Sequence, residues 1–558
     1  MSAPPALAVL RLEHLEPVSR QVLEIALTIG LAAASIAFAP LLHALSPVLA
    51  IVAQTLVACA IIAALPAHAP SIAIFILLFQ NLFVSILSPY IASPSELEFI
   101  KGYNFLDCAV MWLATFALYV FRQRDRSPDV NRLMIGSTLV LGVVIVYFLA
   151  GFLENGLAAS IYLRNIVLPL FLFQLALLTA ATYDVRVTPV LVTIAVLFVA
   201  CGYIELFFRD FWLAVTNGYA YWHFDEIKAT DSGVWEREMR ATGQVIVDLK
   251  DRFVFSFLNT PLLEGLGLSN MLRIFGPNIS AISYAYGVGF FVLFLFSVGR
   301  PLLAILALPL AVLCGVKGAL ILILFVAASW LSTRLLGAVV TLVLGFLALI
   351  AYTIFGIYIG LQIGDYHVIG FMGGWHGFLQ APLGRGLGIG GNLSGDFSSI
   401  DWGAAQQAGS VDGAVESAVG VLLYQMGIAA ALPLGLYLAI GLKAWRLYAA
   451  SGLLTQGFAA FGLFVVLFNG FFQEEALFGP PALGLMACLA GLVIGNAVRT
   501  GSQVGAAVTP AGRTPGLPRR RAGAEDRHDP YRTSSVSVRS VSCGGWGPLK
   551  YLRPRASV

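Results

Sequence analysis

The chain is 558 residues long, 59% hydrophobic and 11% charged, with a formal net charge of +3. Soluble globular proteins carry roughly 25% charged residues, so this composition excludes an ordinary soluble domain. Apolar runs of about 20 residues recur along most of the length, each long enough to cross a hydrocarbon core as a helix, with none of the short alternating strands of a membrane barrel. The expected fold is an all-α polytopic membrane protein, and the small net charge does not point to a nucleic-acid partner.

Residues 1–21 carry Arg11, Glu13, Glu16 and Arg20 and no apolar core, so no cleavable signal peptide is expected. About fourteen spans follow. Seven form an N-terminal bundle over 22–208, near 22–43, 47–65, 70–92, 105–121, 133–154, 160–182 and 188–208. A first long loop covers 209–279. Central helices over 280–360 fall near 280–298, 301–315, 318–332 and 335–360. A second, glycine-rich loop covers 361–412. The last spans, within 413–498, fall near 413–440, 456–473 and 477–498. The tail, 499–558, is rich in Gly, Ser, Pro and Arg and reads as disordered and basic.

Arg122, Arg124, Arg126 and Arg132 follow the fourth span, and Arg186, Arg300, Arg334, Lys443, Arg446 and Arg499 fall on the same side. The positive-inside rule places that side in the cytoplasm, with both termini, and turns both long loops outward. In the first loop, Val245, Leu249, Phe253 and Phe257 recur every fourth residue over 243–258, the pattern of an amphipathic helix lying on the membrane surface or on the loop's own core.

Six cysteines without a CxxC pair indicate neither a disulfide framework nor a zinc site. His367 and His376 are not spaced as metal ligands, so no metal or other cofactor is expected. The chemistry is expected from cations near the outer ends of spans and from one carboxylate. Arg164 stands at the mouth of the sixth span, where it either snorkels to headgroups or lines a wet cavity. Lys317, between Gly315 and Gly318, sits where the backbone can break, which aims it into a cavity. Arg240 and Arg273 belong to the first outer loop, and Arg273 precedes Phe275-Gly276-Pro277-Asn278.

Arg385 precedes Gly386, Gly388, Gly390 and Gly391. An arginine fork matches phosphate oxygens, and the glycines would let backbone amides close on an anion. The competing reading is a salt bridge to Asp396, Asp401 or Asp412. Glu416, placed just inside the next apolar span, can orient or deprotonate a sugar hydroxyl, or pair with one of these arginines. Trp222, Trp235, Trp375 and Trp402 suit either sugar stacking or a membrane-interface belt.

Four stretches resemble the bacterial O-antigen polymerase and O-antigen ligase superfamily. They are Arg273 to Asn278, Gly315 to Leu320, Trp375 with Pro382 to Gly388, and Glu416-Ser417 with Leu422 to Gly427. Lysine stands at 317 where the family usually has arginine, and glutamate at 416 where ligases tend to have histidine. The resemblance implies a glycosyltransferase C-like helical bundle with an outer cavity for polyprenyl-pyrophosphate-linked oligosaccharide, acting without metal or nucleotide in the bacterial inner membrane. Pyrophosphate contact is expected from Arg385, Arg273, Arg240, Lys317 and Arg164, with Glu416 and Arg385 as the catalytic residues and Glu416 at the acceptor hydroxyl. Two outer loops and Glu416 place the chain with the polymerases, alongside a flippase and a chain-length regulator as partners. A ligase-type transferase and a lipid-linked oligosaccharide flippase or exporter are the alternatives.

Overall fold

The computed structural model describes residues 17–122, 127–231, 254–255, 271–393 and 400–508. Nearly all of these residues are helical. Prolines open many of the helices, where a missing N–H costs nothing and the fixed φ suits the first turn. In the N-terminal third, α1 is Pro17–His43, α2 Pro47–Ala64, α3 Ala69–Leu87, α4 Pro94–Arg122 and α5 Pro128–Thr182. Next come α6 Val187–Phe207, α7 Arg209–Thr216 and α8 Gly218–Asp231. The central group is α9 Ala281–Ser297, α10 Pro301–Leu313, α11 Lys317–Leu336, α12 Ala338–Ile363 and α13 Tyr366–Gln380. The chain closes with α14 Trp402–Ala408, α15 Ala418–Met426, α16 Ala431–Ser451, α17 Leu454–Asn469, α18 Glu474–Phe478 and α19 Pro480–Val508.

Five apolar stretches make the centre. These are α3, the second half of α5, α9, α17 and α19, whose residues are buried on nearly every side. A helix that is apolar all round belongs in such a position. Around them α12 exposes Val339, Val343, Leu347, Ile354 and Phe355, and α2 exposes Val48, Val52 and Leu56. Patches of that length and apolarity need hydrocarbon rather than water outside them. Among the described residues ten helices are long and apolar enough to cross a membrane, and α9, α10 and α17 are apolar but shorter. The chain is therefore an all-α polytopic membrane protein, as composition implied.

Helix α5 runs for 55 residues and is interrupted at Asn155 (φ −132°, ψ 52°). At about 1.5 Å per residue it is more than twice as long as a bilayer core is thick, so a break is required. The break falls between the segments expected at 133–154 and 160–182. The interval 413–440, expected as one span, is instead an irregular stretch to Ser417, then α15, a turn at Gly427 and α16. The anticipated amphipathic helix over 243–258 lies outside the described residues except at Val254–Phe255. These two residues are strand, paired antiparallel with Met271–Leu272. The 361–412 interval is not a plain loop, because it contains α13 and α14.

Candidate functional site

Two cavities bear on the candidate residues. The first, of about 840 Å³, is floored by α13 and α14 and lined by His376, Gln380, Asp401, Asp412 and Tyr424. The second, of about 660 Å³, lies between α3, α4, α5 and the segments at 278–283 and 392–393. Its lining is amide-rich, with Gln80, Asn81, Asn104, Asn165, Asn278 and Asn392, and it carries Glu98, Lys101 and Arg164.

The glycine run beside the first cavity is built for packing. Arg385 and Gly386 donate their amides to the Gln425 carbonyl at 3.0 and 2.9 Å, Leu387 donates to Tyr147, and Gly391 donates to Ala414. Those amides are already satisfied, so at these four positions the run is not an open anion nest. A side chain on Gly386 would strike Gly151, and one on Gly388 would strike the Ala159 backbone. Both residues have positive φ, 107° and 85°. The run is thus seated across the break in α5. Gly370, Gly373, Gly374 and Gly377 make a matching stripe on α13, which brings it against the backbone of 411–420 and the ring of Tyr424.

Arg385 is held by this frame. Its Nη1 donates to the Gly377 carbonyl at 2.8 Å, and its guanidinium stacks 4.1 Å from the Tyr424 ring centre. Among the described residues no carboxylate lies within ion-pair distance of it, so neither Asp401 nor Asp412 forms the expected salt bridge. Asp401 instead caps α14 by accepting the Ala404 amide. Asp396 lies outside the described residues.

Glu416 is not inside a span. It precedes α15 in a left-handed conformation, φ 59°, that non-glycine residues rarely adopt. Its amide donates to Asn392 Oδ1 at 2.8 Å, and its carboxylate lies 3.4 Å from His367 Nδ1. The alternative of an arginine partner is thereby replaced by a histidine. Strain of this kind costs about 1–3 kcal/mol and persists only where neighbours enforce it.

Behind Asn392 lies Glu474. Tyr162 Oη donates to its Oε1 at 2.6 Å, and the Asn392 amide donates to its Oε2 at 3.3 Å. Asn392 therefore joins Glu416, Glu474 and the second cavity. Burial is the main cause that raises the Glu474 carboxyl to about 8, with the charges of Glu475 and Glu416 adding to it. For His367 burial alone would lower the imidazole. The hydrogen bond and charge of Glu416, with Asp365, outweigh that and raise it to about 9.

Both groups bind protons more tightly when folded. Their stabilisation is full below their unfolded values and is lost as pH rises through about 8 and about 9. The purified protein is expected to lose thermal stability from about pH 5 to pH 9. Glu474→Gln is expected to flatten the lower part of that curve in a pH series of unfolding midpoints. The His367 side chain is 40% exposed, so solvent screens its share.

Arg164 lines the second cavity. Its Nη2 stands 3.9 Å from Glu98 Oε2, and its Nε donates to Asn165 at 3.4 Å. Lys101 Nζ donates to Glu98 Oε1 at 2.9 Å and lies 5.1 Å from the Tyr221 ring.

The Arg273 stretch is docked elsewhere. Glu205, inside α6, accepts the amides of Phe275 and Gly276, and Arg209 donates to the Arg273 carbonyl. The stretch reaches the second cavity through Asn278 rather than through Arg273. Lys317 is the exposed first residue of α11. Its neighbour Gly318 abuts Tyr286 and Gln473, and the Gly318 carbonyl accepts from Asn469 at 2.9 Å. Arg240 and Trp235 lie outside the described residues. Trp222 is buried against Phe275, 4.8 Å between ring centres, and serves neither as belt nor as sugar platform.

Glu98, Lys101, Glu205 and Glu474 were not singled out by sequence. Glu205 and Glu474 carried a signal, since carboxylates within or between apolar spans are costly unless they have a purpose. Among the described residues no cluster of His, Cys, Asp and Glu is arranged to hold a metal ion. Comparison with protein-family models, with curated proteins and with solved structures finds no match to this chain.

Proposed function

We propose that the chain is a metal-independent glycosyltransferase that polymerises polyprenyl-pyrophosphate-linked repeat units into a surface or secreted polysaccharide. It would do so at the outer face of the bacterial inner membrane. The reading assigns about fourteen crossings, counting the two halves of α5 and the shorter apolar helices, with both termini in the cytoplasm.

One observation carries it. A cation-bearing, amide-rich cavity lies among apolar helices, and a single residue, Asn392, links its wall to the Glu416 backbone amide and to the Glu474 carboxylate. A lipid-linked sugar diphosphate presents an anion, hydroxyls and a hydrocarbon tail, and each has a counterpart here.

In the reaction an acceptor sugar hydroxyl forms a bond to the donor's anomeric carbon. The bond from that carbon to the diphosphate breaks, and polyprenyl diphosphate leaves with the electron pair. The leaving group is already activated, so the protein contributes orientation and charge neutralisation. Arg164, which lines the second cavity, and Arg385, held by the Gly377 carbonyl and the Tyr424 ring, are assigned to phosphate oxygens, joined by Arg273, Lys317 and Arg240 as further candidates from sequence. Glu416 takes the hydroxyl proton, and its left-handed backbone fixes where the carboxylate stands. A flippase and a chain-length regulator are the expected partners.

The test is the size distribution of surface and secreted glycans in a deletion strain complemented with wild type, Arg385→Ala or Glu416→Gln. Single repeat units in place of long chains are expected for the deletion and both variants, at normal protein abundance. Long chains stranded on the lipid carrier would mean a ligase, and repeat units trapped on the cytoplasmic face would mean a flippase.

A further inference from the structure

We infer that Glu98 is a built-in stand-in for the ligand's anion in the second cavity, holding Lys101 and Arg164 together until a phosphate-class anion displaces it. The anion's identity as a substrate diphosphate rests on the transferase reading. The displacement itself does not.

The geometry is unequal in a telling way. Lys101 is bonded to Glu98 at 2.9 Å, whereas Arg164 stands 3.9 Å away, beyond hydrogen-bond distance. The one hydrogen bond of Arg164 among the described residues goes to the adjacent Asn165, at 3.4 Å. Its side chain is only 23% exposed. A guanidinium so far withdrawn from water normally uses its paired donors on a carboxylate or phosphate. Here Glu98 takes up the charge without filling the fork.

All three side chains line one cavity of about 660 Å³, within the range of small-molecule sites. The surrounding amides of Asn81, Asn104 and Asn392 offer both donors and acceptors, as sugar hydroxyls require. A phosphate group entering beside Arg164 would complete the fork and compete with Glu98 for Lys101. Glu98 would then swing off as a hydrated or amide-bonded carboxylate. This makes Glu98 a determinant of selectivity, since a neutral sugar cannot displace it and a phosphorylated one can.

The test is binding of inorganic pyrophosphate to the purified full-length protein in nanodiscs of zwitterionic lipid, by isothermal titration at low salt. Glu98→Gln is expected to bind about tenfold more tightly than wild type, because the competing anion is gone. Arg164→Gln and Lys101→Gln are each expected to bind about tenfold more weakly. Misfolding cannot produce a gain, so the Glu98 variant reports on displacement rather than integrity. Unchanged or weaker binding by Glu98→Gln, or no binding of pyrophosphate by wild type, would overturn the inference.

Phosphatidylglycerol added to the nanodiscs separates two sources of the same chemistry. Loss of pyrophosphate binding would assign the clamp to a lipid headgroup, and retained binding would assign it to a soluble or substrate diphosphate. Tight pyrophosphate binding with normal glycans in the deletion strain would leave the clamp standing and end the transferase reading.

Discussion

Gly388→Val is expected to abolish long-chain glycan and to lower the unfolding midpoint of the purified protein by several degrees. A Cβ at this position would collide with the Ala159 amide nitrogen and stand 2.7 Å from its Cα. Both are backbone atoms of α5, so no side chain can rotate away. The residue also holds φ at 85°, where a β-branched side chain is strained. A left-handed conformation costs about 1–2 kcal/mol outside glycine, and overpacking adds about 1–3 kcal/mol. The run would be lifted off α5 and would break the bonds of Arg385 and Gly386 to Gln425. Arg385 would then leave Tyr424 and Gly377. Gly136→Ala in α5 is the control, since nothing lies within 4 Å of its Cβ position and its helix is regular there. That variant is expected to be neutral or up to about 1 kcal/mol more stable.

Glu474→Ala is expected to cause the second severe loss. It removes the acceptor of the Tyr162 hydroxyl and of the Asn392 amide at once. Each buried donor left without a partner costs about 1–3 kcal/mol. Asn392 would no longer be fixed, and the Glu416 amide would lose its partner's orientation. Polymer formation is expected to fall at least tenfold, with thermal stability reduced. Tyr162→Phe in the same chain removes one orphaned donor, so the double variant is expected to be less destabilised than the sum of the single ones. Strict additivity of the two unfolding shifts would show that the pair is not coupled.

Much of the architecture could be read from the sequence because hydrocarbon imposes simple rules. An apolar run of membrane length must be helical, since nothing outside it satisfies the backbone. Most of the expected apolar intervals accordingly fall largely on helices, including the two that α5 joins across Asn155. The interval 413–440 misled because small apolar residues such as Ala414 and Val415 suit a packed irregular segment as well as a span. Only tertiary contact with α13 decides between them.

The site was harder to read. The run after Arg385 has the composition of an anion nest, but its glycines serve the approach to α5, and composition does not distinguish the two uses. Glu416 was found by its place before an apolar run. Its partner His367 lies 49 positions away and could not be paired with it by spacing. Glu98 and Lys101 look like an ordinary i, i+3 pair on a helix until Arg164 is brought beside them from α5.

Reconstitution tests the central claim most directly. The purified protein in liposomes is given polyprenyl-diphosphate-linked repeat units, and products are separated by size. A ladder of lengthening lipid-linked chains, with one polyprenyl diphosphate released per added unit and loss of both in Glu416→Gln, is the predicted result. Repeat units that stay single while crossing the bilayer would contradict the account.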